Sequence, residues 1–112
     1  MLIQIFLLAW KIAQEKWIMR LIGKEKLDKY CKKHPDCKLW IENWIVEVKA
    51  ANWKSLNELK ERFPSASILA ENNVIFNVKG NNHRLTVQIA MKTQIVAIKW
   101  IGTHSEYDHK TF

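Results

Sequence analysis

The chain has 112 residues, with 48% hydrophobic and 26% charged. That length holds one domain and no second independent core; the mix excludes wholesale disorder, and Gly 3 and Pro 2 exclude collagen-like and linker-like chains. Lys+Arg 18 against Asp+Glu 11 leave a net charge of +7, which suits a polyanion: nucleic acid first, then an anionic membrane or an acidic protein.

Met1 to Ile18 differs from the rest. Leu2, Ile3, Ile5, Phe6, Leu7, Leu8, Ala9 and Trp10 form an apolar run that Lys11 ends. The run is too short to span a membrane and lacks the basic flank and cleavage site of a secretory signal. It reads as an amphipathic N-terminal extension, or as translation from a start upstream of the natural one at Met19. The domain proper is placed at 19–112.

From Met19 the pattern is regular. Met19, Leu21 and Ile22 fit a short strand, and Gly23 serves as a helix cap. Leu27, Tyr30 and Cys31 line one face of a helix whose other face carries Lys24, Lys26, Lys29, Lys32 and Lys33. His34-Pro35-Asp36 breaks it. Trp40, Ile41, Trp44, Ile45 and Val48 stripe a longer helix. Ser55 and Glu58 form a capping box for a short one ending near Phe63-Pro64. Cys31 and Cys37 are expected as free thiols, not a disulfide framework. With His34 they make three metal ligands, one short of a structural zinc site, so no metal is assigned.

After Ser65 the period becomes two. Three strands follow, centred on Val74-Phe76-Val78, Leu85-Val87-Ile89 and Val96-Ile98-Trp100. Two-residue turns at Asn81-Asn82 and Lys92-Thr93 set Lys79 against Arg84, Asn77 against Thr86, Thr86 against Lys99, Val78 against Leu85, Phe76 against Val87, Val87 against Ile98 and Leu85 against Trp100. The expected fold is α+β: a small, mostly antiparallel sheet with N-terminal helices on one face. The other face is expected to gather Asn77, Lys79, Arg84, Thr86 and Lys99. Trp40, Trp44 and Trp100 are placed inside and Trp53 at a helix junction. His83 and His109 are taken as surface histidines.

Thr103 to Glu106 is a second capping box, which puts His104 in the first turn of a short helix after the last strand. RNA self-cleavage needs a base for the 2′-hydroxyl, an acid for the 5′-oxygen and cations for the charge growing on phosphorus. His104 has a side chain of near-neutral reference pKa. Arg84 can hold a phosphate bidentately. Tyr107 can donate a proton or stack on a base. Asp108 orients or caps.

Phe63-Pro64-Ser65-Ala66-Ser67, the run from Val74 through Lys79-Gly80-Asn81-Asn82-His83-Arg84-Leu85, and Ile101-Gly102-Thr103-His104-Ser105-Glu106-Tyr107-Asp108 together resemble the HigB family of toxins, within the RelE superfamily. The resemblance covers Met19 to about His109. It implies a RelE-like domain over 19–112 and a cytoplasmic, metal-independent endoribonuclease without a cofactor. The enzyme would cut translated messages at the ribosome and be silenced by a HigA-type helix-turn-helix antitoxin, with no membrane partner. By position, Arg84, His104 and Tyr107 are the catalytic candidates, and Lys79, Asn77 and Lys99 the RNA-binding ones. The lysine and arginine cluster of some relatives is reduced here, so the division of acid and base between His104 and Tyr107 stays open. The alternatives are a basic RNA- or ribosome-binding module without catalysis and a protein that docks an acidic partner. In those, His104 only starts a helix and Tyr107 only packs.

Overall fold

The computed structural model describes residues 19–109. In chain order these form β1 (Arg20–Ile22), α1 (Lys24–Lys33), a 3-10 turn (Pro35–Cys37), α2 (Lys38–Ala50) and α3 (Leu56–Arg62). Then come β2 (Ser67–Ile68), a second 3-10 turn (Ala70–Asn72), β3 (Asn73–Val78), β4 (His83–Ala90), β5 (Ile95–Thr103) and α4 (His104–Asp108). The sheet runs β1-β5-β4-β3-β2, antiparallel except where β1 lies parallel to β5. The α+β architecture read from the sequence is present. The expected meander is its centre, and β1 and the two-residue β2 extend it on either side. The expectations for Met1 to Ile18 lie outside the described residues.

Local chemistry explains the boundaries. Gly23 caps α1 at φ 92, where a Cβ would stand 3.1 Å from that of Ile98. Pro35 stops α1 because the residue before it, His34, is pushed out of helical geometry to ψ 71. Ser55 accepts from the Glu58 N–H at 3.4 Å, but the Glu58 carboxylate reaches the N–H of Lys54, so only half of that expected box forms. At α4 both halves form: Thr103 N–H donates to Glu106 Oε1 at 2.9 Å, and Glu106 N–H to Thr103 Oγ1 at 3.1 Å.

The core lies between the helices and one face of the sheet. Leu27 of α1, Ile41, Trp44, Ile45 and Val48 of α2, and Leu59 of α3 pack on Val74, Phe76, Val78, Leu85, Val87, Ile89, Val96 and Ile98. Trp44 meets Phe76 edge-on with centroids 5.4 Å apart, and Phe63 meets Phe76 in the same way at 5.1 Å. Trp53 is buried at the junction before α3, whereas Trp40 is only partly buried.

Strand alternation assigns β3 and β4 side chains to the expected faces, but two pairings differ. β3 pairs with β4 two residues away from the expected register: Asn77 opposes Arg84, Phe76 opposes Leu85 and Val78 opposes His83. The reason is the turn. Lys79 and Gly80 both adopt positive φ (49 and 68), so the connection uses four residues and Lys79 leaves the strand. On the other side Val87 opposes Ile98 as expected, but a bulge follows between Thr86 and Val87. It inserts Lys99 and pairs Thr86 with Trp100, Leu85 with Ile101 and Arg84 with Gly102. The bulge reverses the later half of β5. Trp100 leaves the expected core position for the open face, and Ile101 replaces it against the core.

Candidate active site

The open face of the sheet presents cross-strand rows. One row holds Asn77, Arg84 and Gly102; the next holds Ile75, Thr86 and Trp100. Arg84 is 8% exposed. Its guanidinium donates from Nη1 to the backbone carbonyls of Asn81 and His83, at 3.2 Å each, and from Nη2 to Asn81 Oδ1 at 2.6 Å. All three acceptors are neutral, and no carboxylate pairs with Arg84 among the described residues. A buried cation without a counter-ion is costly unless an anion joins it.

His104 is tied to the same turn. Its backbone N–H donates to Asn82 O at 2.9 Å. Its ring places Nε2 3.5 Å from Asp108 Oδ2, one helical turn on, while Nδ1 is buried without a partner among the described residues. The ring is 44% exposed, so one edge meets solvent and the other the protein. Tyr107 rests against Trp100, with centroids 6.3 Å apart. Trp100 in turn lies over Gly102, where a Cβ would stand 2.3 Å from the indole. Gly102 therefore leaves room for the indole beside the Arg84 row. The Asn77 amide donates to Ser65 O at 3.4 Å.

Of the six candidate residues, four converge on the β3–β4 turn and its neighbourhood: Asn77, Arg84, His104 and Tyr107. Two do not. Lys79 does not face Arg84; it sits in the turn, where its ammonium bears on Asp36. Lys99 occupies the bulge, beyond the Thr86–Trp100 row. It borders a groove of about 370 Å³ along β5, together with Trp100, Tyr30 and Lys26, Lys29 and Lys33 of α1. Lys29, Lys33 and Lys99 meet no carboxylate among the described residues.

Sequence reading missed Asn81, which clasps the guanidinium, and Trp100. It also misplaced His83, which is a buried residue at 4% exposure. Nδ1 of His83 meets the Tyr30 hydroxyl at 2.6 Å and Nε2 meets Asp36 Oδ2 at 2.8 Å. The signal was present: His83 shares the parity of Leu85 and Val87, so alternation along β4 already turns it to the core face, where it opposes Val78. This trio anchors the end of α1 to β4 beside Arg84.

Asp36, Cys37 and His83 also bring three donor atoms within 4.8 Å of one another. Both imidazole nitrogens are already engaged there, and burial, followed by the neighbouring Cys31, pushes the Cys37 thiol up to about 12. The donor set is one short of a closed zinc site, and the thiol stays protonated at neutral pH.

Hydrogen bonding from His83 holds the Asp36 carboxyl below the ordinary carboxylate range, and the Thr103 N–H does the same for Glu106. Lowered native pKa values stabilise the fold above the ordinary carboxylate range. That contribution drains away as pH falls through the range to the native values. Urea unfolding followed from pH 7 to 3 is therefore expected to show falling midpoints. Asp36→Asn combined with Glu106→Gln should flatten that acid limb; an unchanged slope would refute the assignment.

No helix of the described residues is long and apolar enough to cross a membrane. Residues 37–110 match the model of a family described as HigB_toxin, RelE-like toxic component of a toxin-antitoxin system. The mRNA interferase HigB of Escherichia coli O6:H1 is 25% identical over 95 residues, covering 83% of this chain and 92% of that protein. The match takes in the β3–β4 turn, Arg84, and α4 with His104, and the chain accordingly belongs to the HigB_toxin family of RelE-like toxic components of toxin-antitoxin systems.

Proposed function

We propose that this toxin is a metal-independent endoribonuclease that cuts translated messages at the ribosome and so stops growth, and that an antitoxin of the HigA type silences it. One observation carries the catalytic reading: a buried guanidinium with only neutral partners, hung on the same turn as a histidine whose ring opens to solvent. A phosphate diester seated on Arg84 supplies the missing negative charge and brings its 2′-hydroxyl and 5′-oxygen toward α4.

The 2′-oxygen attacks phosphorus as a base takes its proton. The bond from phosphorus to the 5′-oxygen breaks, and an acid protonates that oxygen. The products are a 2′,3′-cyclic phosphate and a 5′-hydroxyl, with no metal needed in the balance. His104 serves as one proton-transfer group, with Asp108, 3.5 Å from its Nε2, orienting the ring. Tyr107 is the second such group or the platform for a base. Arg84 stabilises the charge growing on the equatorial oxygens. Asn77, opposite Arg84, contacts the strand. Lys99, with the lysines of α1, draws the RNA backbone along β5, and Lys79 adds to the field at the turn.

The purified protein should cut single-stranded message in EDTA, leaving cyclic-phosphate ends, and cut faster when the message is on ribosomes. Lys29→Gln with Lys33→Gln should lower the slope of log affinity against log salt by about 1.4, from about 0.7 per phosphate contact on a single strand. Intact RNA after prolonged incubation with and without ribosomes would leave the non-catalytic RNA-binding module as the surviving reading.

A further inference from the structure

Next to Arg84 on the open face stands Thr86, 2% exposed, with its hydroxyl buried and without a hydrogen-bond partner among the described residues. An orphaned buried hydroxyl is unusual and calls for an explanation. Thr86 lines a cavity of about 430 Å³ whose other walls are Leu69, Ala70, Glu71, Asn73 and Lys99. Two features show that the covering segment is built rather than loose. Glu71 and Asn72 hold φ of 60 and 61, a left-handed geometry that non-glycine residues rarely adopt. The segment is also pinned: Leu69 N–H donates to Asn73 O at 2.7 Å, the Asn73 amide to Ala70 O at 2.9 Å and the Gln88 amide to Glu71 O at 3.1 Å.

We propose that this cavity is a nucleobase subsite and that the base it takes is guanine. The proposal rests on the ribonuclease reading above. Residues two apart on a strand lie about 7 Å from one another on the same face, so a nucleotide whose phosphate sits on Arg84 can set its base over Thr86. The walls then choose the base. Lys99 donates, Glu71 accepts, and no ion pair joins the two among the described residues. Guanine alone among the four bases offers two acceptors, O6 and N7, on one edge and two donors, N1–H and the N2 amino group, on the adjoining edge. The Thr86 hydroxyl both donates and accepts, so the base supplies its missing partner. Leu69 and Ala70 provide apolar surface near the ring.

Oligonucleotides varied through the four bases and inosine at the positions flanking the cut test this, with kcat/KM read for each. A 2′-O-methyl series, which cannot be cleaved, is read for binding alone. Guanine should exceed adenine by about 10- to 100-fold at one flanking position, and inosine should fall between them. Thr86→Val keeps the shape and removes the hydroxyl; Glu71→Gln removes the charge. Each should shrink the guanine-to-adenine ratio about fivefold or more while uracil is handled as before. Equal treatment of the four bases in both series overturns the subsite and leaves catalysis standing. Guanine-selective binding without cleavage overturns catalysis and leaves the subsite. A ratio unmoved by both substitutions places the selectivity elsewhere and also overturns the subsite.

Discussion

His104→Ala lowers the rate of RNA cleavage by about 10²- to 10⁴-fold, the span expected for loss of a positioned proton-transfer group, while RNA affinity stays near that of the parent protein. The two quantities separate because of where the ring sits. It opens α4 with one edge in solvent, and its backbone, not its side chain, is what bonds the β3–β4 turn through Asn82 O. Removing the imidazole therefore leaves the turn, Arg84 and the lysines of the β5 groove in place. Arg84→Ala is the contrasting case. It removes the phosphate-seating charge and also leaves Asn81 without its partner, so affinity and rate fall together. Tyr107→Phe keeps the contact with Trp100 and removes only the hydroxyl. A large rate loss in that variant identifies Tyr107 as the second proton-transfer group, and a small one leaves it as a stacking platform. Single-turnover cleavage and filter binding on the same oligonucleotide read both quantities. Full cleavage by His104→Ala, or growth arrest undiminished in cells expressing it, would remove His104 from the chemistry.

Trp44→Ala is expected to cost about 3–5 kcal/mol, the usual toll of deleting a large buried aromatic, and a small domain has only about 5–15 kcal/mol to lose. Trp44 is 2% exposed and carries the contact between α2 and the sheet through Phe76, which in turn meets Phe63. Its removal opens a cavity that backbone relaxation cannot close, since helix and strand are both regular there. Trp44→Phe should cost much less. The indole N–H is buried without a partner among the described residues, so its loss removes an unfavourable term along with part of the packing. Urea midpoints for the three proteins give the comparison. A Trp44→Ala protein within about 1 kcal/mol of the parent would mean that α2 does not anchor the core.

Much of the fold was legible along the chain because local chemistry fixes it. The stripe of Ile41, Trp44, Ile45 and Val48 marks α2, Pro35 marks the break before it, and Thr103 with Glu106 starts α4. The alternation of Val74, Phe76 and Val78 with Ile75 and Asn77 marks a strand and its faces. A period of two assigns a side chain to a face whatever the register, so Arg84 and Asn77 reached the open side even though the pairing had slipped by two residues.

The sequence by itself determined the elements, the basic charge and the family-like motifs around Arg84 and His104. Register, and with it which residues touch, was decided by the tertiary structure. The turn after Val78 needed two left-handed residues in succession, and the bulge at Lys99 answers to sheet twist and to the packing of α1 beside β5, neither of which a single strand records. Those two irregularities pair His83 with Val78, lay Trp100 over Gly102, and bring Asn77 rather than Lys79 to Arg84. Local preferences name the pieces, whereas contacts between distant segments choose the register, because a slip of two residues leaves every local preference unchanged.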